Sequence, residues 1–239
     1  MPVQKPEPLY DEDQGPVLIV CATRDRPGDF LRLARSFHDT SIHAHLMAYV
    51  DDDQSAAYQA LELPPRVRLH VGKRVGPIQA INWIVHSYRS GYRIYGVAPD
   101  DATFLTPGWD DWLRDTIDGL PGRLGIVAAA HDCGEYVNFA CVSREWVEVC
   151  GWYAYPHAYH FIWDTVLEML GEATRIVYAP ASKFMMHHDQ KPTINTEDHY
   201  TGDAHSFLMW CVGERRALVH KIREAIETAR HGSHAPSCP

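Results

Sequence analysis

Short apolar runs alternate with amphipathic stretches through the amino-terminal part of the chain. Residues 17–22 (VLIVCA) are continuously apolar, which is typical of a strand buried on both faces of a parallel sheet. Residues 30–38 follow, with their apolar side chains spaced along one helical face. The same alternation predicts further strands at 45–50, 67–71 and 93–97, and further helices at 55–61 and 78–88. This order predicts an α/β fold in which helices flank a doubly wound, mostly parallel sheet.

The carboxyl-terminal half combines shorter elements with one long polar segment. The pattern predicts helices at 109–117 and 162–170, and strands at 125–130, 138–142, 176–179 and 183–187. Residues 189–204 (DQKPTINTEDHYTGDA) are polar and rich in turn formers, so we expect a mobile loop there. From 205 to 231 apolar residues recur at helical spacing, which predicts a long amphipathic helix with a break near Gly213.

Neither an internal repeat nor a domain linker divides the sequence. We therefore expect one α/β domain over 17–204 and a helical extension over 205–231. Residues 1–16 are polar and proline-rich, and residues 232–239 read GSHAPSCP. Both end segments are poor in apolar residues, so we expect a disordered arm and a disordered tail.

The composition is ordinary for a globular protein, with an acidic balance. Of the 239 residues, 46% are hydrophobic, and the formal net charge is −9. Such a charge argues against non-specific binding to nucleic acids or anionic lipids. The six cysteines are scattered without a CxxC pair, and no run of eighteen apolar residues occurs. We therefore expect a cytoplasmic protein without a signal peptide or membrane span.

Carboxylates follow two of the predicted strands. Asp51 comes directly after strand 45–50, and the pair Asp100 and Asp101 comes after strand 93–97. Aspartate is a common turn residue, and for one strand that explanation would suffice. Ligands bind at the carboxyl ends of parallel strands, so acids on two neighbouring strands indicate a site. An adjacent acid pair suits Mg²⁺ or Mn²⁺, which bind carboxylates together with substrate phosphates.

Basic residues lie in the loops expected at the same sheet edge. Arg24 and Arg26 follow the first strand in TRDRPGD, and Lys73 and Arg74 precede the helix at 78–88. Most lysines and arginines are solvated surface charges. One or two of these side chains are nevertheless expected to contact phosphate, and the sequence does not distinguish which.

Four segments resemble family 2 glycosyltransferases with the GT-A fold. They are VLIVCATRDRP, YVDDD, VGPIQAINWIV and APDDATFLTPGWDDWL, and the resemblance extends over residues 17–188. It implies a catalytic domain over 17–204 with a metal-binding acid motif of the DxD type, followed by a proline and an aromatic residue. Here the acids are adjacent, which departs from that motif and leaves open whether Asp100 or Asp101 contacts the metal.

The resemblance also implies a nucleotide-sugar donor linked to UDP or GDP, with Mn²⁺ or Mg²⁺ as cofactor. The residues that we expect to bind this donor lie at the predicted sheet edge and are Thr23, Arg24, Arg26, Asp51, Arg74, Gly76 and Asp100. Metal ligation is assigned to Asp101 and His187. Because neighbouring residues of a strand point to opposite faces, only one of His187 and His188 is expected to reach the metal.

The resemblance places the catalytic acid at Asp164, which follows a Gly-aromatic turn and opens the helix at 162–170. The alternative is an acid that stabilises the helix amino terminus. A base must be ionised near neutrality, so we expect a low pKa for this carboxyl group. Glu168 and Asp132 are the next candidates. Tyr159 and the tryptophans are expected in the core more often than on a sugar ring.

These assignments predict an inverting transfer of a hexosyl or pentosyl group, with Asp164 as base. The loop at 189–204 resembles the lid that orders on the donor in such enzymes. The acceptor stays open: a polysaccharide, a lipid-linked sugar, a small molecule, a protein, or a hydroxymethylated base in DNA, as for some small bacterial or phage-encoded transferases. Rival interpretations are a nucleotidyltransferase, which would need a more glycine-rich first loop, and a non-catalytic nucleotide-sugar-binding module.

Overall fold

The computed structural model describes residues 17–132, 137–160, 162–189 and 197–232. The predicted arm at 1–16, most of the predicted tail, and residues 190–196 of the predicted lid lie outside the described residues. Within the described ranges, none of the helices combines the length and apolar character that a membrane span requires.

The elements follow one another in a mostly alternating order. The strands are β1 (Val17–Thr23), β2 (His45–Asp51), β3 (Val67–Gly72), β4 (Ile94–Val97), β5 (Ala102–Phe104), β6 (Ile126–Ala128), β7 (Ala130–His131), β8 (Ala140–Ser143), β9 (Ile176–Tyr178) and β10 (Met185–His188). The helices are α1 (Pro27–Thr40), α2 (Ser55–Gln59), α3 (Pro77–Ser87), α4 (Trp109–Asp118), α5 (Arg144–Cys150), α6 (Trp163–Leu170), α7 (Glu197–Val212) and α8 (Arg215–Gly232).

Seven strands form the main sheet, in the order β3-β2-β1-β4-β8-β6-β9. Its strands pair in parallel except at β8, which is antiparallel to both β4 and β6. A second, three-stranded sheet has the order β5-β10-β7. The predicted α/β fold with a mostly parallel sheet and flanking helices is therefore confirmed.

The main sheet separates two apolar cores. In β1, Leu18 and Val20 face one core, whereas Val17, Ile19 and Cys21 face the other. Alternate residues of a strand point to opposite faces, so a strand between two cores must be apolar throughout. This explains the continuous apolar run with which the described part of the chain begins.

Helices α1, α3 and α5 each begin with a residue that favours the start of a helix. Pro27 and Pro77 stand at the first positions of α1 and α3, where a missing N–H costs nothing and the fixed φ suits a helix. Ser143 caps α5, and its hydroxyl accepts a hydrogen bond from the Trp146 N–H at 3.1 Å.

Gly108 and Trp109, which follow the acid pair in the sequence, are fixed by contacts with the rest of the fold. Gly108 adopts a left-handed conformation with φ of 71°, and its N–H donates to the Thr40 carbonyl at 2.7 Å. Trp109 is fully buried, with its ring stacked on Phe104 at 5.0 Å and on Phe184 at 4.7 Å between ring centroids. Gly108 and Trp109 thus anchor the start of α4 to α1 and to the small sheet.

The C-terminal helices α7 and α8 contribute side chains to one of the two apolar cores. Trp210 on α7 and Ile222 and Ile226 on α8 are buried in the same cluster as α3, α5 and α6. The two helices are separated at residues 213–214, as predicted near Gly213. The predicted loop at 189–204 is too long, however, because α7 already begins at Glu197. The expected boundary between 204 and 205 therefore falls inside a helix.

Three further elements differ from prediction. The single strand expected at 125–130 is divided into β6 and β7, which belong to different sheets. The strand expected at 138–142 begins as a 3-10 turn at Val137–Phe139 and becomes extended only in β8. The short β5 was not predicted, because three residues carry too little periodicity to be recognised.

Candidate active site

A cavity of about 560 Å³ opens where β1, β2 and β4 end. These three strands are adjacent and parallel, so the residues that follow them converge at one edge of the sheet. The cavity lining includes seven of the predicted site residues: Thr23, Arg24, Arg26, Asp51, Arg74, Asp100 and Asp101. The structure thus brings together the acids and bases that the sequence placed at separate strand ends.

Asp100 is a buried carboxylate tied to the end of β1. Its Oδ2 accepts a hydrogen bond from the Thr23 hydroxyl at 2.9 Å, and Thr23 Oγ1 lies 2.8 Å from the Tyr58 hydroxyl. Arg26 Nη1 donates to Asp100 Oδ1 at 3.3 Å. Burial raises the pKa of Asp100, while the Thr23 hydroxyl and Arg26 act in the opposite direction.

Asp101 is even more deeply buried, at 2% exposure, and it faces the small sheet. Its Oδ1 lies 3.1 Å from His188 Nε2, and its Oδ2 lies 3.6 Å from Arg26 Nη1. The contact with His188 follows from strand pairing, because His188 of β10 lies opposite Ala102 of β5. The first residue of β5 directly follows Asp101, so the two side chains meet.

His187 does not reach the acid pair. Its Nδ1 contacts Asp132, and its Nε2 lies 3.0 Å from Asp189 Oδ1. The hydrogen bond to Asp132 is the main cause that raises the pKa of His187, and Asp189 adds to it. Arg32 on α1 donates to Asp189 at 2.7 Å. The expectation that paired His187 with Asp101 is corrected: β10 turns His188 towards the cavity and His187 to the opposite face.

The donor set around Asp101 fits a divalent cation. A carboxylate oxygen and an imidazole nitrogen 3.1 Å apart line the cavity, and the second carboxylate, Asp100, is adjacent. Within the described ranges, no three His, Cys, Asp or Glu side chains converge as a ready metal cluster. Magnesium and manganese commonly bind to one or two protein ligands and take the rest from phosphates and water. The residues present suit that arrangement.

A second ion-pair network lies at the end of β2. Asp51 is buried, and its Oδ2 accepts a hydrogen bond from Arg24 Nη1 at 2.7 Å. The same guanidinium forms a two-pronged contact with Asp53, with both bonds at 2.7 Å. Such a bidentate pair fixes the plane of the arginine. Asp51 is therefore held in one orientation on the cavity wall.

Asp164 lies in the first turn of α6, as predicted, but outside the cavity lining. Its neighbours His160 and Trp163 are lining residues. Its Oδ1 accepts a hydrogen bond from the Thr165 N–H at 2.8 Å. The low pKa expected for this group is wrong in direction, because burial raises the pKa of Asp164. Glu168 is exposed one turn later.

Gly76 lies beside the cavity, where the side chains of Gln79 and Tyr159 pack closely against it. A Cβ at this position would lie 2.4 Å from Gln79 Oε1 and 3.0 Å from Tyr159 Cε2. Tyr159 itself lines the cavity and is 39% exposed. The expectation of a core position for Tyr159 is therefore wrong.

No protein-family model matches the sequence, and no curated protein matches it either. The structure is similar to that of S. aureus TarS, with a TM-score of 0.57 and 11% identity over 93% of this chain and 44% of the TarS chain. A structure of TarS 1-349 gives a TM-score of 0.51 and 9% identity over 92% of this chain and 93% of that one. The chain thus spans less than half of the longer TarS chain. At such identities the likeness establishes the fold, which is GT-A-like.

Proposed function

We propose that this chain is a glycosyltransferase that moves a sugar from a nucleoside diphosphate to an acceptor hydroxyl with Mn²⁺ or Mg²⁺. TarS, whose fold it shares, is a family 2 glycosyltransferase. The observation that carries the proposal is the cluster of Asp100, Asp101, His188 and Arg26 on one cavity wall. Carboxylates and an imidazole suit a metal ion, and a guanidinium suits the diphosphate that would share it.

We assign different roles to the acidic and the basic side chains that would surround the diphosphate. Asp101 and His188 would hold the metal ion, with Asp100 beside them. When bound, the ion would neutralise the charge on the departing diphosphate. Arg26, now 3.3 Å from Asp100 and 3.6 Å from Asp101, would turn from the neutralised carboxylates to a phosphate oxygen. Arg74, which also lines the cavity, would supply a second positive charge.

The wall formed by Asp51 and Arg24 supports binding of the nucleoside. A carboxylate held in one orientation accepts hydrogen bonds from a nucleobase or ribose with little loss of conformational entropy. Asp51 ends β2 and the acid pair follows β4, so they lie on either side of the end of β1, at the same edge of the sheet. We propose a UDP- or GDP-linked sugar as the donor.

We assign Asp164 as the general base of the proposed reaction. Its raised pKa makes the carboxylate a stronger proton acceptor than an exposed aspartate. It would take the proton of the acceptor hydroxyl while that oxygen bonds to the anomeric carbon. The bond from this carbon to the diphosphate oxygen breaks on the opposite side, so the configuration inverts. The acceptor would then lie at the end of the cavity marked by His160 and Trp163.

Release of nucleoside diphosphate from UDP- and GDP-sugars tests the proposal. We expect turnover that requires Mn²⁺ or Mg²⁺ and that is abolished in Asp101→Asn, while circular dichroism shows that the variant keeps the fold. Asp115→Asn, an exposed acid on α4, is the control and should behave as the parent protein. Undiminished turnover in excess EDTA would contradict the metal requirement. Release of pyrophosphate from UTP or GTP in the presence of a sugar phosphate, with no nucleoside diphosphate released from the nucleotide sugar, would indicate nucleotidyl transfer.

A further inference from the structure

A buried carboxylate from the C-terminal helices holds one wall of the cavity. Asp203, on α7, is 1% exposed. Its two oxygens accept hydrogen bonds from consecutive backbone groups, the Tyr159 N–H at 2.5 Å and the His160 N–H at 2.9 Å. Both of these residues line the cavity. A side chain of the helical extension therefore determines where a turn of the candidate active site lies.

The same turn is braced from the other side by α3. Gln79 Nε2 donates to the Ala158 carbonyl at 3.4 Å, and the Asn82 amide donates to the Ala154 carbonyl at 2.6 Å. Asn82 Oδ1 also accepts hydrogen bonds from the backbone near Ala154. These contacts hold the backbone at Ala154 and Ala158, the base of the segment. Asp203 holds the backbone of Tyr159 and His160, its tip. A change at Asp203 should consequently move the tip and leave the base in place.

The tip carries two side chains with separate positions in the cavity. The Tyr159 ring rests against Gly76, where the absent Cβ leaves it room, and it remains partly exposed to the cavity. His160 lies close enough to Asp164 to affect its pKa, which burial raises and His160 lowers. The position of this one turn therefore affects both the surface available to a bound ligand and the surroundings of the proposed base.

We propose that Asp203 is a positioning residue of the active site, and that the Tyr159 ring which it places packs against a ring of the bound nucleotide sugar. The inference rests on the proposed function. Tyr159 stands in a turn whose backbone is held by Asp203 and by α3, and its ring rests against Gly76, so less entropy is lost when a ligand binds. Aromatic faces also suit the apolar faces of sugars and nucleobases.

Asp110 provides a matched control for the structural part of this role. It is also a buried aspartate of a helix, and its carboxylate also accepts hydrogen bonds from consecutive backbone N–H groups, those of Ile42, His43 and Ala44. That loop lies at the beginning of β2, whereas the cavity lies at its end, about 20 Å away for a strand of this length. Asn at either position removes one acceptor oxygen from a similar clamp.

The experiment compares Asp203→Asn, Asp110→Asn and Tyr159→Ala in full-length protein, with melting temperature, kcat and donor KM as readouts. Both Asn variants should melt earlier. Only Asp203→Asn and Tyr159→Ala should raise the donor KM, by about 3- to 10-fold, as expected for one lost aromatic contact. A variant that combines Asp203→Asn with Tyr159→Ala should raise the donor KM by less than the product of the two single increases, because both changes remove the same contact.

Two results would overturn the inference while leaving the proposed function intact. One is an active parent enzyme in which Asp203→Asn has the same kcat and KM as Asp110→Asn. The other is an unchanged donor KM in Tyr159→Ala, a partly exposed position at which folding is not at risk. If the parent protein neither binds nor turns over any UDP- or GDP-sugar, the proposed function fails and the inference fails with it.

Discussion

A pH-dependent loss of stability should arise from the buried histidine His45. It lies at the start of β2, where burial, together with Arg66 and Arg68, lowers its pKa from 6.5 to about 4. Its Nδ1 lies 2.9 Å from the Tyr92 hydroxyl. In the unfolded chain His45 gains a proton near pH 6.5, but in the folded protein it stays neutral down to about pH 4. Its contribution to stability is therefore complete above pH 6.5, is lost progressively as the pH falls from 6.5 to 4, and is gone below pH 4.

The size of the loss follows from the two pKa values. Each unit of difference corresponds to about 1.4 kcal/mol, so the full effect is about 3 kcal/mol, reached below pH 4. At pH 5 the unfolded chain is almost fully protonated at this site and the folded one hardly at all. We therefore expect about 2 kcal/mol of the loss between pH 7 and pH 5.

Urea unfolding at pH 7 and pH 5 measures this quantity in the parent protein and in His45→Gln. The difference in free energy of unfolding between the two pH values should be about 2 kcal/mol larger in the parent. His43→Gln, an exposed histidine two residues earlier, should retain the parent's pH dependence. An equal pH dependence in the parent and in His45→Gln would refute the reasoning.

Three further predictions concern the site and its support. Asp164→Asn should lower kcat by about 10²- to 10⁴-fold with little change in donor Kd; normal turnover would exclude it as the base. His188→Ala should weaken Mn²⁺ binding in calorimetry, whereas His187→Ala should not, and the reverse order would contradict the assignment. Asp110→Asn should reduce the free energy of unfolding by about 1–3 kcal/mol in urea titrations, because a backbone N–H loses its charged acceptor; a stability equal to the parent's would contradict this role.

The sheet edge that carries the acids could be predicted because it depends on local pattern and connectivity. A strand that is apolar throughout, such as β1, must lie between two cores. Alternation of strands with helices then makes neighbouring strands parallel, and this brings Asp51 and Asp100 to the same edge. Neither step requires knowledge of a contact distant in the sequence.

The other parts of the site depend on contacts that no local pattern encodes. Which histidine of β10 reaches Asp101 is set by its register against β5, and β5 has only three residues. The Tyr159 turn is set by Asp203, a residue 44 positions later. A polar segment that contains such a buried acid has the composition of a loop, which is why the start of α7 was misplaced.

The adjacency of Asp100 and Asp101, which departs from the spaced DxD motif of the glycosyltransferases that the sequence resembles, has a geometric explanation. Asp100 faces the main sheet through Thr23, and Asp101 faces the small sheet through His188. The chain passes from one sheet to the other between them, because β5 begins at Ala102 and the Ala102 N–H closes a turn onto the Pro99 carbonyl at 3.1 Å. A turn rotates successive side chains apart, so no intervening residue is needed to give the two acids different partners. Both carboxylates still share Arg26, and a cation bound there would therefore join the two sheets.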